Sequence, residues 1–157
     1  MPSAPDARSR GINVCLETSG FCKAQDLERI FPFVDLFLYD YKAIPSMHKE
    51  LTGGESTVIL ENLHMLDKLG GRIILRCPIV PDNNLCPEHI NGIIEVAKGL
   101  SNLLEINLEP YHNIGVGKRC DLGISQEAQM ITPPDARMMQ DIARRIEEEA
   151  GVKTVVM

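Results

Sequence analysis

The chain has 157 residues, of which 44% are hydrophobic and 24% charged, with a formal net charge of -6. That is enough chain for one globular domain with a core, and an acidic balance without a basic, aromatic-studded stripe excludes nucleic acid as the main partner. No apolar run approaches the roughly 20 residues that span a bilayer, and the opening MPSAPDARSR has no apolar segment of the signal-peptide kind, so the cytoplasm is the expected compartment. The five cysteines, Cys15, Cys22, Cys77, Cys86 and Cys120, are irregularly spaced and contain no CxxC or CxxxCxxC, so neither a disulfide framework nor a metal-binding run is written into the chain. Cys15 and Cys77 fall in expected strands as small core residues, whereas Cys22, Cys86 and Cys120 fall in loops.

In chain order, a polar leader (1–10), expected to be flexible, precedes INVCLET (12–18), a first β-rich segment. KAQDLERI then predicts a short helix, and DLFLYDYK (35–42) a second strand. STVILENLHMLDKLGG predicts a longer helix with Ser56 as N-cap and Gly70-Gly71 as its stop. RIILRCP (72–78) is the third strand. CPEHINGIIEVAKGL follows as a helix with Pro87 early and Ile90, Ile93, Ile94, Ala97 and Leu100 on one face. LLEINLEP (103–110) is the fourth strand. TPPDARMMQDIARRIEEEAG places Met139, Ile142, Ile146 and Ala150 together, from a Thr-Pro cap to Gly151, with Met138 as a flank and RRIEEE as a solvated face. VKTVVM (152–157) closes the chain as a fifth strand. Strand and helix in alternation imply an α/β fold with a parallel sheet, of either barrel or doubly wound type.

In such folds the chemistry collects where strands end, and these ends are polar. Alternation puts Leu36, Leu38, Asp40 and Lys42 on one side of the second strand and Phe37, Tyr39 and Tyr41 on the other. On that stretch alone a surface ion pair is the favoured reading. The other ends change the balance: the first strand ends in Glu17 and Thr18, the third carries Arg76, and the fourth leads to His112. Converging on one mouth, these acids, bases and a hydroxyl would hold something zwitterionic or metallic. The fourth strand alternates Ile106 and Leu108 with Glu105, Asn107 and Glu109. Its wet side fits a splayed, incomplete barrel around a polar ligand as well as an edge strand with one solvated face.

LETSGF, DLFLYDYK, HKELTG, ILENL, RCPIVPDNN and EPYHNIGVGK, in this order from about Gly11 to the C-terminus, closely resemble the activating enzymes of glycyl radical enzymes, the radical-SAM group that includes pyruvate formate-lyase activase. The resemblance implies a partial parallel (β/α) barrel of the radical SAM type, of which residues 11–157 are the C-terminal two-thirds with about four to five strands. It implies that Glu17, Thr18, Asp40, Lys42, Arg76 and His112 bind S-adenosylmethionine (SAM), with Glu17, Thr18 and Asp40 as candidates for a monovalent cation site. The first acid is usually Asp and here is Glu; the loop after the arginine strand carries Asp82 where relatives often have Gly, so that loop is expected to turn differently. SAM presents a carboxylate, an ammonium, a sulfonium and ribose hydroxyls, which suits opposite charges at one strand end.

The same resemblance implies an oxidoreductase that, when complete, uses SAM and a 4Fe-4S cluster to generate a glycyl radical on a partner glycyl radical enzyme, taking electrons from a flavodoxin or ferredoxin. The family's CxxxCxxC cluster motif is absent from this sequence. The chain alone is therefore expected to carry no iron-sulfur ligands, to be inactive and to expose a strand edge prone to pairing. Two other readings compete: a non-catalytic module docking a glycyl radical enzyme through NIGVGKRCDLG, and an aldolase-like barrel with Lys42 as a Schiff-base lysine.

Overall fold

The computed structural model of the chain describes residues 4–112 and 131–157. Its elements are α1 (Ala4–Ser9), β1 (Cys15–Thr18), α2 (Ala24–Ile30), a 3-10 turn (Phe31–Phe33), β2 (Leu36–Asp40), α3 (Pro45–Thr52), α4 (Ser56–Lys68), β3 (Ile73–Ile79), α5 (Pro87–Lys98), β4 (Leu103–Pro110), α6 (Ala136–Ala150) and β5 (Thr154–Val156). The strands form one sheet in the order β1-β2-β3-β4-β5, and all four pairings are parallel. A sheet whose spatial order equals its chain order is the wall of a barrel, because a doubly wound sheet reverses direction partway. β1 and β5 are its edges. β4 lies between β3 and β5, which removes the edge-strand explanation of its polar side.

Side-chain alternation divides the sheet into two unlike faces. Phe37, Tyr39 and Tyr41, Ile73, Leu75, Cys77 and Ile79, and Ile106 and Leu108 are buried on one side, in a single cluster with Leu63 and Leu66 of α4, Ile93 and Ile94 of α5, and Met139 and Ile146 of α6. Each such side chain contributes roughly 1.5–3 kcal/mol of burial, so this face holds the fold together. On the other face lie Glu17, Leu36, Leu38, Asp40, Ile74, Arg76, Pro78, Glu105, Asn107 and Glu109, all partly or fully exposed except Asn107. A bulge between Ile73 and Ile74 pairs Ile73 with Leu103 but Ile74 with Glu105, skipping Leu104. That extra residue sets the phase of β4 and sends its acids, rather than its leucines, to the open face.

The core face of α5 is as anticipated, with Pro87 as its first residue. Three expectations need correction. Cys15 is exposed, because β1 is an edge strand and Cys15 shares the open face; Cys77 is fully buried. Ser56 is the first residue of α4 rather than its cap, and is itself buried after Glu55. Asp135 caps α6, not the Thr-Pro pair; its Oδ1 accepts from the Met138 amide at 2.9 Å. α3 was not anticipated as a helix, since His48 is its only buried residue and no apolar stripe marks it. Ala4–Ser9, inside the polar leader, is helical, and Arg8 pairs with Asp35 at 3.1 Å. Among the described residues no helix is long and apolar enough to cross a membrane.

Candidate functional site

Buried amides fix the loops from which the site is built. Asn62 of α4, 3% exposed, donates to the Gly20 and Cys22 carbonyls at 2.8 and 2.9 Å and so pins the turn that follows β1. Asn84 does the same after β3: its amide donates to the carbonyls of Lys42 and Pro78 at 2.8 and 2.7 Å, and its oxygen accepts from the Val80 amide. The ends of β2 and β3 are thereby locked side by side. In that second loop Asp82 has a φ of +65°, the left-handed conformation that favours glycine, so it adopts a glycine-like backbone at a cost. Asp82→Gly is expected to leave stability unchanged or to raise it by up to about 1 kcal/mol, and Asp82→Val to lower it by about 1–2 kcal/mol, in urea unfolding. Equal effects of the two would show that the loop carries no such strain.

Arg76 is the centre of the charge cluster. Parallel register sets Asp40 beside it on β2 and Asn107 beside it on β4. Its Nη1 meets Glu17 Oε2 at 2.6 Å, its Nε donates to Glu109 Oε1 at 2.6 Å and its Nη2 to Glu109 Oε2 at 3.2 Å, and Asp40 Oδ1 stands 3.8 Å from Nε. The hydrogen bonds it donates to Glu109, then to Glu17, hold the guanidinium above its usual range, so it is a permanent cation. Lys42 Nζ lies 3.4 Å from Asp40 Oδ2 at the rim. Three carboxylates thus face two cations, leaving one negative charge in excess. Two acceptors are buried there without a hydrogen-bond partner among the described residues, Asp40 Oδ1 and Asn107 Oδ1. Native structures seldom leave such atoms unpaired unless something else binds them.

The structure brings together Glu17, Asp40, Lys42 and Arg76 among the residues singled out in sequence. Thr18 points elsewhere: it pairs in register with Tyr39, the opposite face from Glu17, and its hydroxyl accepts from the Gly20 amide at 3.0 Å. Glu17 and Asp40 thus share Arg76, with Asp40 also beside Lys42, while Thr18 is engaged by the Gly20 amide. His112 is exposed, two residues beyond β4, and makes no hydrogen bond or ion pair among the described residues. Glu109, which grips Arg76 with both oxygens, was not singled out for the site, although the Glu105, Asn107, Glu109 alternation had marked its face as wet. For a Schiff-base role Lys42 would need to be desolvated, and it is 44% exposed and paired with Asp40. The docking segment NIGVGKRCDLG and Cys120 lie outside the described residues.

A parallel sheet in chain order with its charged groups at the strand ends is the wall of a (β/α) barrel, and solved structures agree in fold. A domain of pyruvate-formate lyase-activating enzyme from Bacteroides vulgatus superposes with a TM-score of 0.77 at 18% identity, over 96% of this chain and 84% of that one. A radical SAM methyltransferase from Sphaerobacter thermophilus gives 0.63 at 14% identity, over 94% of this chain and 42% of that one. Sequence narrows the class. The chain is 34% identical over 143 residues to the trans-4-hydroxy-L-proline dehydratase activating enzyme of Clostridioides difficile, covering 89% of this chain and 47% of the relative. It is 34% identical over 149 residues to the indoleacetate decarboxylase activating enzyme of Tractidigestivibacter scatoligenes, with 94% and 47% covered. It is 27% identical over 153 residues to the pyruvate formate-lyase-activating enzyme of Listeria monocytogenes, with 93% and 61% covered. No family model matches. The homologues that match about 90% of this chain are glycyl radical enzyme activating enzymes. The chain spans about half the length of the first two relatives.

Proposed function

We propose that this chain forms the SAM-binding wall of an activase that, when complete, generates a glycyl radical on a partner glycyl radical enzyme. The observation that carries the reading is the Glu17, Asp40, Lys42, Arg76, Glu109 cluster on the open face, with a buried carboxylate oxygen, Asp40 Oδ1, left without a hydrogen-bond partner among the described residues. Its excess negative charge suits a ligand that is cationic overall, and its mixed signs suit one that carries a carboxylate as well.

When bound, SAM supplies the adenosyl radical chemistry; this chain's residues bind and orient. Asp40 accepts from the ligand's cationic end. Lys42, exposed at the rim, donates to its carboxylate or ribose oxygens. Arg76 has its Nε, Nη1 and Nη2 groups turned to Glu109 and Glu17, and acts as a strut that keeps both acids in place. No proton needs to move on any of these groups. Among the described residues no three His, Cys, Asp or Glu side chains gather to hold a metal ion, so the iron-sulfur cluster of the radical SAM reading does not fit them. The electron donor of the complete enzyme, flavodoxin or ferredoxin, belongs to the same proposal.

Calorimetric titration of the chain with SAM tests the reading. Saturable binding is expected, with Asp40→Asn weakening it about tenfold while leaving the fold intact, since a charge-assisted hydrogen bond is lost. Absence of binding by the parent chain at millimolar SAM would sink it.

A further inference from the structure

Glu109 is the acid that the charge cluster does not need for its own pairing. From β1 to β3, counting Lys42 just past β2, the strand ends carry Glu17 and Asp40 against Arg76 and Lys42, and these already balance: Arg76 meets Glu17 at 2.6 Å and Lys42 meets Asp40 at 3.4 Å. Glu109 arrives from β4 as a third carboxylate. Its register partner on β3 is Pro78, so it reaches Arg76 diagonally, and it takes Nε at 2.6 Å and Nη2 at 3.2 Å; the residue in register with Arg76 is Asn107, whose oxygen takes neither. One step lower on β4 the pattern differs, because Glu105 is matched by a base of its own, Lys153. Among the described residues Glu109 pairs with no base but Arg76, which Glu17 already engages, so the excess negative charge of the cluster is the one that Glu109 brings.

Stability does not account for this third acid. Its side chain is 28% exposed, and an ion pair that open to water contributes little to folding. What it changes is the potential of the open face, and through it the charge of the guest that the face prefers. We propose that Glu109 is a specificity-determining residue that acts through charge rather than contact: it leaves the face net negative, so that a cationic sulfonium is held in preference to the uncharged thioether of the same shape. This rests on the reading of the site as one for SAM. SAM carries one positive charge overall, and S-adenosylhomocysteine, which lacks the sulfonium methyl, carries none. The two share ammonium, carboxylate, ribose and adenine, so their difference is blind to which group of the cluster meets which end of the ligand. One unit charge several ångströms away in a half-solvated site is worth roughly a fivefold change in affinity.

Calorimetric titration of the parent and of Glu109→Gln with both ligands tests the proposal, the ratio of the two affinities being the readout. Glutamine keeps the size and an acceptor for Arg76 and removes the charge. SAM is expected to weaken roughly fivefold and S-adenosylhomocysteine to stay within about twofold, whereas Glu109→Asp, which keeps the charge, retains the parent's ratio. In about 1 M salt the contrast between the parent and the glutamine variant should shrink, since exposed charges are screened. Should the glutamine variant not fold, Glu109→Ala is read for the same ratio. A ratio unchanged or raised by loss of the charge, whether both ligands weaken in parallel or neither does, would overturn the inference and leave the SAM reading standing wherever the parent chain binds SAM. No binding of SAM by the parent would overturn both.

Discussion

Gly20→Ala is expected to destabilise the chain by about 4 kcal/mol, enough to unfold a domain of ordinary stability. Two independent effects add. Gly20 has a φ of +70°, where an L side chain costs about 1–2 kcal/mol. A Cβ there would lie 1.6 Å from the Tyr39 hydroxyl and 2.3 Å from the ring carbon that bears it. Tyr39 has nowhere to go, being fully buried with its hydroxyl donating to the Ile59 carbonyl at 2.6 Å. The Gly20 carbonyl is also the acceptor for Asn62, so a shift of the loop breaks a second tie. Thermal or urea unfolding measures the loss, and Tyr39→Leu in the same chain should restore part of it by vacating the space. A single Gly20→Ala variant within about 1 kcal/mol of the parent would show that the turn after β1 is free to move.

Acidification is expected to cost the fold about 3 kcal/mol through one histidine. His89 is 0% exposed, stacks on Tyr41 with ring centroids 5.6 Å apart, and has no hydrogen-bond partner among the described residues on either ring nitrogen. Burial opposes its charged form and lowers its pKa from 6.5 to about 4. The native state therefore keeps His89 neutral below the point where the unfolded chain takes up a proton. Stability is complete above pH 6.5, falls as the pH drops from there towards 4, and levels off once the folded state also protonates. Urea unfolding at several pH values should show His89→Leu losing less stability on acidification than the parent. Identical slopes would mean that water reaches the ring.

β2, β3 and β4 were legible because each has buried apolar residues at period two, and the long helices because isoleucines and leucines recur at helical spacing. α3 gave no such signal. The cap of α6 was misplaced because Thr132-Pro133 and Asp135 are all plausible starts, and only geometry shows whose oxygen meets the Met138 amide. Cys15 was misjudged because a strand's position in the sheet, edge or interior, is set by its neighbours and not by its own residues. Four of the site residues were visible as charges at strand ends. Glu109 and Asn107 were visible only as a polar side of β4, since their placement depends on the register between β3 and β4 and on the bulge at Ile73/Ile74, which nonlocal pairing decides. His89 sat in plain view four residues before Ile93, on the apolar stripe of α5.

The two unlike faces of the sheet have a consequence for how such a protein can diversify. Odd and even positions of one ribbon meet different demands: one set must interlock with helices, the other, on the proposed reading of the site, has only to suit a guest. New guests can therefore be tried at Leu38, Ile74 or Asn107 while the scaffold behind them keeps its fit.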